Sequence, residues 1–170
     1  MQPAGRSPIR AREKNLDVFI IIDLVYILLI LLASPWLLYA ALRQGKYRQG
    51  YAAKLLGLVP RRHEVAPCVW LHAVSVGEVN LLRPLLLRIE QEFPHWKCVI
   101  STTTKTGFDL ASRMYAPRSV FYCPLDFSWA VRQAVRRIQP AALVLAELEL
   151  WPNLIRAARR AGARVAIVNG

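Results

Sequence analysis

A chain of 170 residues has room for one domain and a membrane segment, but not for two full Rossmann-type domains. It is 55% hydrophobic with a mean hydropathy of +0.27, high for a soluble domain, and the excess is concentrated in one stretch. The formal charge of +12 calls for an anionic partner, a membrane surface or nucleic acid; no helix-turn-helix, zinc-finger or RNA-binding signature accompanies it, so nucleic acid is set aside.

In chain order, residues 1–16 read as a basic tail carrying Arg6, Arg10, Arg12 and Lys14. Residues 17–42 are expected to form a membrane anchor helix. The run from Val18 to Leu42 is 25 residues long and holds one charge, Asp23. An aspartate in the bilayer costs about 3 kcal/mol, whereas sixteen Leu, Ile, Val and Phe return about 5–10 kcal/mol, so insertion wins. Pro35 should kink or break the helix, and Trp36 and Tyr39 resemble an interfacial belt. The segment either crosses the bilayer or enters one leaflet and returns. A cleaved signal peptide fits less well, because the run is long and no A-x-A site follows it.

Residues 43–67 form a basic connector in which Tyr47, Tyr51, Leu55, Leu56 and Leu58 supply an apolar side. It reads either as an amphipathic helix at a membrane surface or as a solvated linker. Residues 68–170 then alternate. Strands are expected at Cys68–Ser75, Lys97–Thr103, Ser119–Leu125, Ala141–Leu148 and Arg164–Asn169. Helices are expected at Gly77–Phe93, Thr106–Ala116, Asp126–Gln139 and Pro152–Ala161. Leu81, Leu85 and Ile89 are taken as the inward stripe of the first of these helices, with a kink near Pro84, and Asp126 as the cap of the third. Such alternation implies parallel β-α-β units, and runs such as ALVLA imply strands buried on both faces. The fold class is therefore α/β, a Rossmann-like open parallel sheet preceded by a membrane helix. Cys68, Cys98 and Cys123 form no C-x-x-C pair and read as reduced core residues.

In an open parallel sheet, ligands bind beyond the carboxyl ends of the strands. The unusual polar residues gather there: His72, Ser75, Gly77 and Glu78 after the first strand; Thr102 to Gly107 after the second; Pro124 and Asp126 after the third; Glu147, Glu149 and Trp151-Pro152-Asn153 after the fourth; Asn169 and Gly170 after the fifth. Two readings of Glu78 stand. It complements a helix dipole, or it is a general base beside Gly77, where a substrate can approach closely. T-T-T-K-T-G is an anion site, with Lys105 adding charge, or a Thr-rich helix cap; it lacks the spacing of a phosphate-binding P-loop. Glu147 and Glu149 should point the same way along their strand. No third acid or histidine lies beside them in sequence to complete a metal site. His72 alone suits a hydrogen-bonded structural role.

The motifs W-L-H-A-V-S-V-G-E-V (Trp70 to Val79), T-T-T-K-T-G (Thr102 to Gly107), P-L-D (Pro124 to Asp126) and E-L-E-L-W-P-N-L (Glu147 to Leu154) occur in order. Together they resemble the N-terminal half of the Kdo (3-deoxy-D-manno-octulosonic acid) transferases of Gram-negative bacteria, over roughly residues 24–170. The resemblance implies a GT-B glycosyltransferase in which residues 68–170 form the acceptor-side domain and the donor domain lies beyond them. It implies an inverting transfer from CMP-Kdo to a lipid A precursor, lipid IVA, at the cytoplasmic face of the bacterial inner membrane, without cofactor or metal. By the family's motifs, Glu78 is the catalytic base and Glu147 a cleft residue. Ser75, Gly77 and Lys105 are carried as substrate contacts, Lys105 towards an acceptor phosphate. The sequence stops where the family continues into its second domain, so this polypeptide alone is expected to be inactive. The alternative is a non-catalytic, membrane-tethered module that binds an anionic lipid. A third reading, an unrelated nucleotide-binding protein, lacks the G-x-G-x-x-G it would need after the first strand.

Overall fold

The computed structural model describes residues 18, 20–29, 31–32, 50–147 and 151–168. The chain divides into two units, Met1–Lys46 and Tyr47–Gly170. In the first, the described residues are helical, and Ile21, Leu24, Leu28, Leu31 and Leu32 are exposed. Among the described residues no helix is long and apolar enough to cross a membrane. The expected membrane-crossing helix is therefore not carried by the described part, and residues 33–42 of it, with 43–49 of the connector, lie outside the described residues.

The second unit holds the α/β fold. Its elements are α1 (Tyr51–Leu56), β1 (Cys68–His72), α2 (Val76–Glu92), β2 (Lys97–Thr102), α3 (Lys105–Met114), β3 (Val120–Tyr122), α4 (Ser128–Ile138), β4 (Ala142–Leu145), α5 (Pro152–Arg160) and β5 (Arg164–Ile167). The five strands form one sheet in the order β3-β2-β1-β4-β5, and all the pairings are parallel. The chain winds outward from β1 through β2 to β3, then returns to place β4 on the other side of β1. That reversal opens a crevice between the carboxyl ends of β1 and β4.

Alternate residues of β1 face opposite layers, as the two-residue period requires. Cys68 and Trp70 pack with Val131, Val135, Ile138, Leu154 and Ala158 of α4 and α5. Val69 and Leu71 pack with Val79, Leu82, Leu86, Ala111 and Tyr115 of α2 and α3 and the turn after α3. Trp70 is fully buried, and its indole N–H donates to Ser101 Oγ at 2.7 Å, so the one polar atom of the ring is satisfied. Cys68, Cys98 and Cys123 are buried and in no disulfide. Burial pushes the thiols of Cys68 and Cys98 up to about 11, as suits core residues.

Several expectations need correction. The strands are shorter than their apolar runs: β1 ends at His72 and β4 at Leu145, because the residues beyond turn into the rim loops. The most buried residues of α2 are Val79, Leu82 and Leu86; Leu85 and Ile89 pack partly buried against the same core, as expected, while Leu81 is 48% exposed. Spacings of three and four keep the buried set toward the sheet, whereas a strict four-residue series drifts by about 40° per step, which leaves its first member, Leu81, outside the covered arc. The helix runs on through Pro84, whose ring lies on the exposed side. The ALVLA run of β4 is largely buried, in line with its apolar character, whereas β5 is an exposed edge of the sheet. Asp126 does not cap α4. The N-cap there is Phe127, without a side-chain bond.

Candidate functional site

The crevice is built from the loop after β1. Ser75 is extended and caps α2 in a capping box with Glu78. Glu78 is 6% exposed. Its Oε1 accepts from the Ser75 hydroxyl at 2.7 Å and the Ser75 amide at 3.2 Å, and its Oε2 accepts from the Val74 amide at 2.8 Å. Three of about four acceptor positions are therefore used to fix the group, and one remains on Oε2. Gly77 lies one residue before it. A methyl group at Gly77 would meet only Ser75 Oγ, at 3.8 Å, so the space beside this turn is open.

The Thr-rich loop after β2 is fastened to the same turn. Thr102 and Thr104 both donate their hydroxyls to the Val74 carbonyl, at 3.3 and 3.1 Å. Thr104 also caps α3 by accepting from the Gly107 amide at 3.1 Å. A side chain at Gly107 would fall 2.5 Å from Thr102 Oγ1, so glycine is what lets helix and loop close together. This is the cap role foreseen for T-T-T-K-T-G. Lys105 is exposed at the start of α3 and pairs with Asp109 at 2.6 Å. That hydrogen bond holds the ammonium above its ordinary range, and its charge is partly engaged within its own helix.

On the other wall, Leu145 of β4 stands opposite His72 of β1, so the loop carrying Glu147 leaves the sheet beside the Glu78 loop. Glu147 is exposed in the bend after β4 rather than on the strand, and its expected alignment with Glu149 reaches outside the described residues. Glu149 lies outside the described residues. Asn169 and Gly170 lie outside them as well. The far end of the Glu147 loop is tied in two places. The Trp151 ring stands edge-on to His72, with centroids 5.2 Å apart at 88°. Asp126, buried after β3, accepts from the Asn153 amide at 2.9 Å and the Leu154 amide at 2.7 Å, and Asn153 Nδ2 donates back to the Asp126 carbonyl at 2.6 Å. The P-L-D aspartate thus caps α5, a helix that starts 26 positions later, and fills its N-terminus with the protein's own carboxylate.

His72 is buried with Nδ1 2.9 Å from Ser101 Oγ. Burial holds its imidazole down at about 4, so it is neutral at neutral pH and serves structure, as expected. A cluster at the end of β3 was not anticipated: Lys54 Nζ lies 4.4 Å from the centre of the Tyr122 ring, which stacks on Phe108 at 4.5 Å. Burial lowers the Lys54 ammonium below its usual range. Its only sequence signal was aromatic and basic residues far apart in the chain. Among the described residues, no group of three or more His, Cys, Asp or Glu is placed to hold a metal ion.

Comparison with known proteins adds a second line. Residues 45–170 match a family model described as 3-deoxy-D-manno-octulosonic-acid transferase (kdotransferase). A 3-deoxy-D-manno-octulosonic acid transferase of Chlamydia pneumoniae is 37% identical over 150 residues, which cover 87% of this chain and 34% of that protein. One from Chlamydophila psittaci is 36% identical over 164 residues, 95% of this chain and 38% of that protein. One from Bordetella pertussis is 32% identical over 143 residues, 79% of this chain and 33% of that protein. The chain spans about a third of the length of these curated relatives.

Proposed function

The chain belongs to the 3-deoxy-D-manno-octulosonic-acid transferase (kdotransferase) family, and from that premise we propose that it supplies the acceptor side of an inverting transfer of Kdo from CMP-Kdo to a lipid A precursor, lipid IVA. In this reading an acceptor hydroxyl enters over Gly77 and attacks the anomeric carbon of Kdo. The new carbon–oxygen bond forms as the bond to phosphate breaks, and CMP leaves with the electron pair. The hydroxyl proton passes to Oε2 of Glu78, the carboxylate oxygen with an acceptor position to spare. The Val74 amide holds that oxygen and Ser75 holds Oε1, so the carboxylate is in place before substrate arrives, which is how a base contributes without reorganising. Glu147 borders the same crevice across from it. Lys105 and its helix face would meet an acceptor phosphate, with the phosphate competing against Asp109 for the ammonium.

The observation that carries the reading is a buried, rigidly held carboxylate beside an open glycine at the sheet's point of reversal. Contacts to the CMP leaving group would come from the remaining two-thirds of a full-length relative, so a polypeptide limited to these 170 residues is proposed not to transfer Kdo. The apolar helical residues of the first unit support anchoring at the inner membrane, with the crevice on the cytoplasmic face. The test is to join residues 1–170 to the remaining portion of the Chlamydia pneumoniae relative and assay transfer from CMP-Kdo to lipid IVA. Transfer by the joined protein is expected. A folded hybrid that transfers nothing would count against the assignment.

A further inference from the structure

Apolar side chains gather on the outside of the second unit where α1 meets α4. Tyr51 is 48%, Leu55 40%, Leu56 55%, Leu58 45% and Trp129 44% exposed. They form one patch. Positions 51 and 55 lie one above the other on α1, Leu56 extends the exposed side of the helix, and the Trp129 indole N–H donates to the Leu55 carbonyl at 2.9 Å. Gly57 sits so close to α4 that a methyl group there would fall 1.9 Å from the Ala130 carbonyl oxygen, which locks the two helices together.

The two segments that build the patch carry charge of one sign. Residues 50–62 and 128–138 contain six Lys or Arg and no Asp or Glu. Arg61 is exposed three residues after Leu58 in the chain, and Arg136 is exposed two turns beyond Trp129 on the same side of α4. A second copy seated on this face in a two-fold pairing would bring the same cations against one another. An anionic bilayer satisfies both halves of the surface: leucine, tyrosine and tryptophan enter the headgroup and upper acyl region, and the cations meet lipid phosphates. The patch also adjoins the substrate rim. The Leu125 amide, in the loop after β3, donates to the Lys54 carbonyl at 2.7 Å, and Lys54 covers Tyr122 at the end of that strand.

We infer that the α1–Trp129 face rests in the headgroup layer of an anionic membrane and so brings the carboxyl rim of the sheet to the bilayer. The inference builds on the reading above that the acceptor is a lipid, and adds which surface meets that lipid's membrane. Its test uses the full 170-residue chain carrying Trp36→Phe, which silences the tryptophan of the N-terminal apolar stretch, with vesicles of phosphatidylglycerol and phosphatidylethanolamine bearing brominated acyl chains. Tryptophan emission is expected to be quenched, and the quenching to be lost when Trp129→Phe is added. Leu55→Glu with Leu56→Glu, both at exposed positions, is expected to abolish it as well without lowering the melting temperature. Three results would overturn the inference. The first is a chain that sediments with the vesicles while Trp129 stays unquenched, or that does not sediment at all. The second is equal quenching by neutral phosphatidylcholine vesicles. The third is a soluble dimer that the paired leucine substitutions dissociate. None of these readouts depends on Kdo transfer, so failure here and failure of the Glu78 assignment are separate events.

Discussion

Two carboxylates in the second unit do opposite things with the same chemistry. Asp126 spends both oxygens on the amides that open α5 and thereby fixes the end of the Glu147 loop. Glu78 uses three acceptor positions on its own turn and keeps one. Asp126→Asn keeps the shape but removes the charge from two amide hydrogen bonds at a helix N-terminus. It is expected to cost about 2 kcal/mol, read as a lowered urea midpoint. His72 gives a pH signature. The unfolded chain binds a proton below the ordinary value of 6.5, whereas the folded protein resists until about 4. Stability is therefore full above pH 6.5 and declines as pH falls from 6.5 to 4, by up to about 3 kcal/mol, with no further loss from this group below that. His72→Gln should flatten that part of the stability–pH curve; an unchanged slope would mean that other groups set it.

Between elements, the glycines mark where backbones must meet. Gly57 ends α1 at φ +66°, and a side chain there would strike a backbone oxygen of α4 that has no freedom to move. Gly57→Ala is expected to destabilise the second unit by about 3 kcal/mol and to loosen α1 from α4, visible as faster amide exchange at Lys54 and Gly57. Much of this scale was legible in the chain. The starts of β1, β2 and β5 and the five-strand α/β alternation follow from apolar runs and their punctuation. What misled was local reasoning about ends and partners. Asp126 stands just before a helix and reads as its cap, yet its partners lie at Asn153 and Leu154, a pairing that only the folded sheet creates. Ala73 to Ser75 look like strand, but Val74 and Ser75 direct their amides to Glu78 instead of to a neighbouring strand. Leu81 begins a four-residue series whose later members, Leu85 and Ile89, do pack on the core; the drift of about 40° per step leaves Leu81 itself in solvent.

At the scale of the molecule, the sheet's reversal between β1 and β4 gathers the motif residues of three loops onto one rim, with the α1–α4 face beside it. In the reading proposed above, that rim takes part in the chemistry of the kdotransferase family and Glu78 is the proton acceptor. The sharpest measurement is kcat for Kdo transfer by the joined protein against its Glu78→Gln form, with melting temperatures recorded for both. Glutamine keeps one accepting oxygen for the turn but cannot take the hydroxyl proton. The prediction is a protein that stays folded while kcat falls by about a hundredfold to ten-thousandfold. Undiminished kcat in the glutamine form would mean that the acceptor's proton goes elsewhere, and that Glu78 is only the cap of its helix.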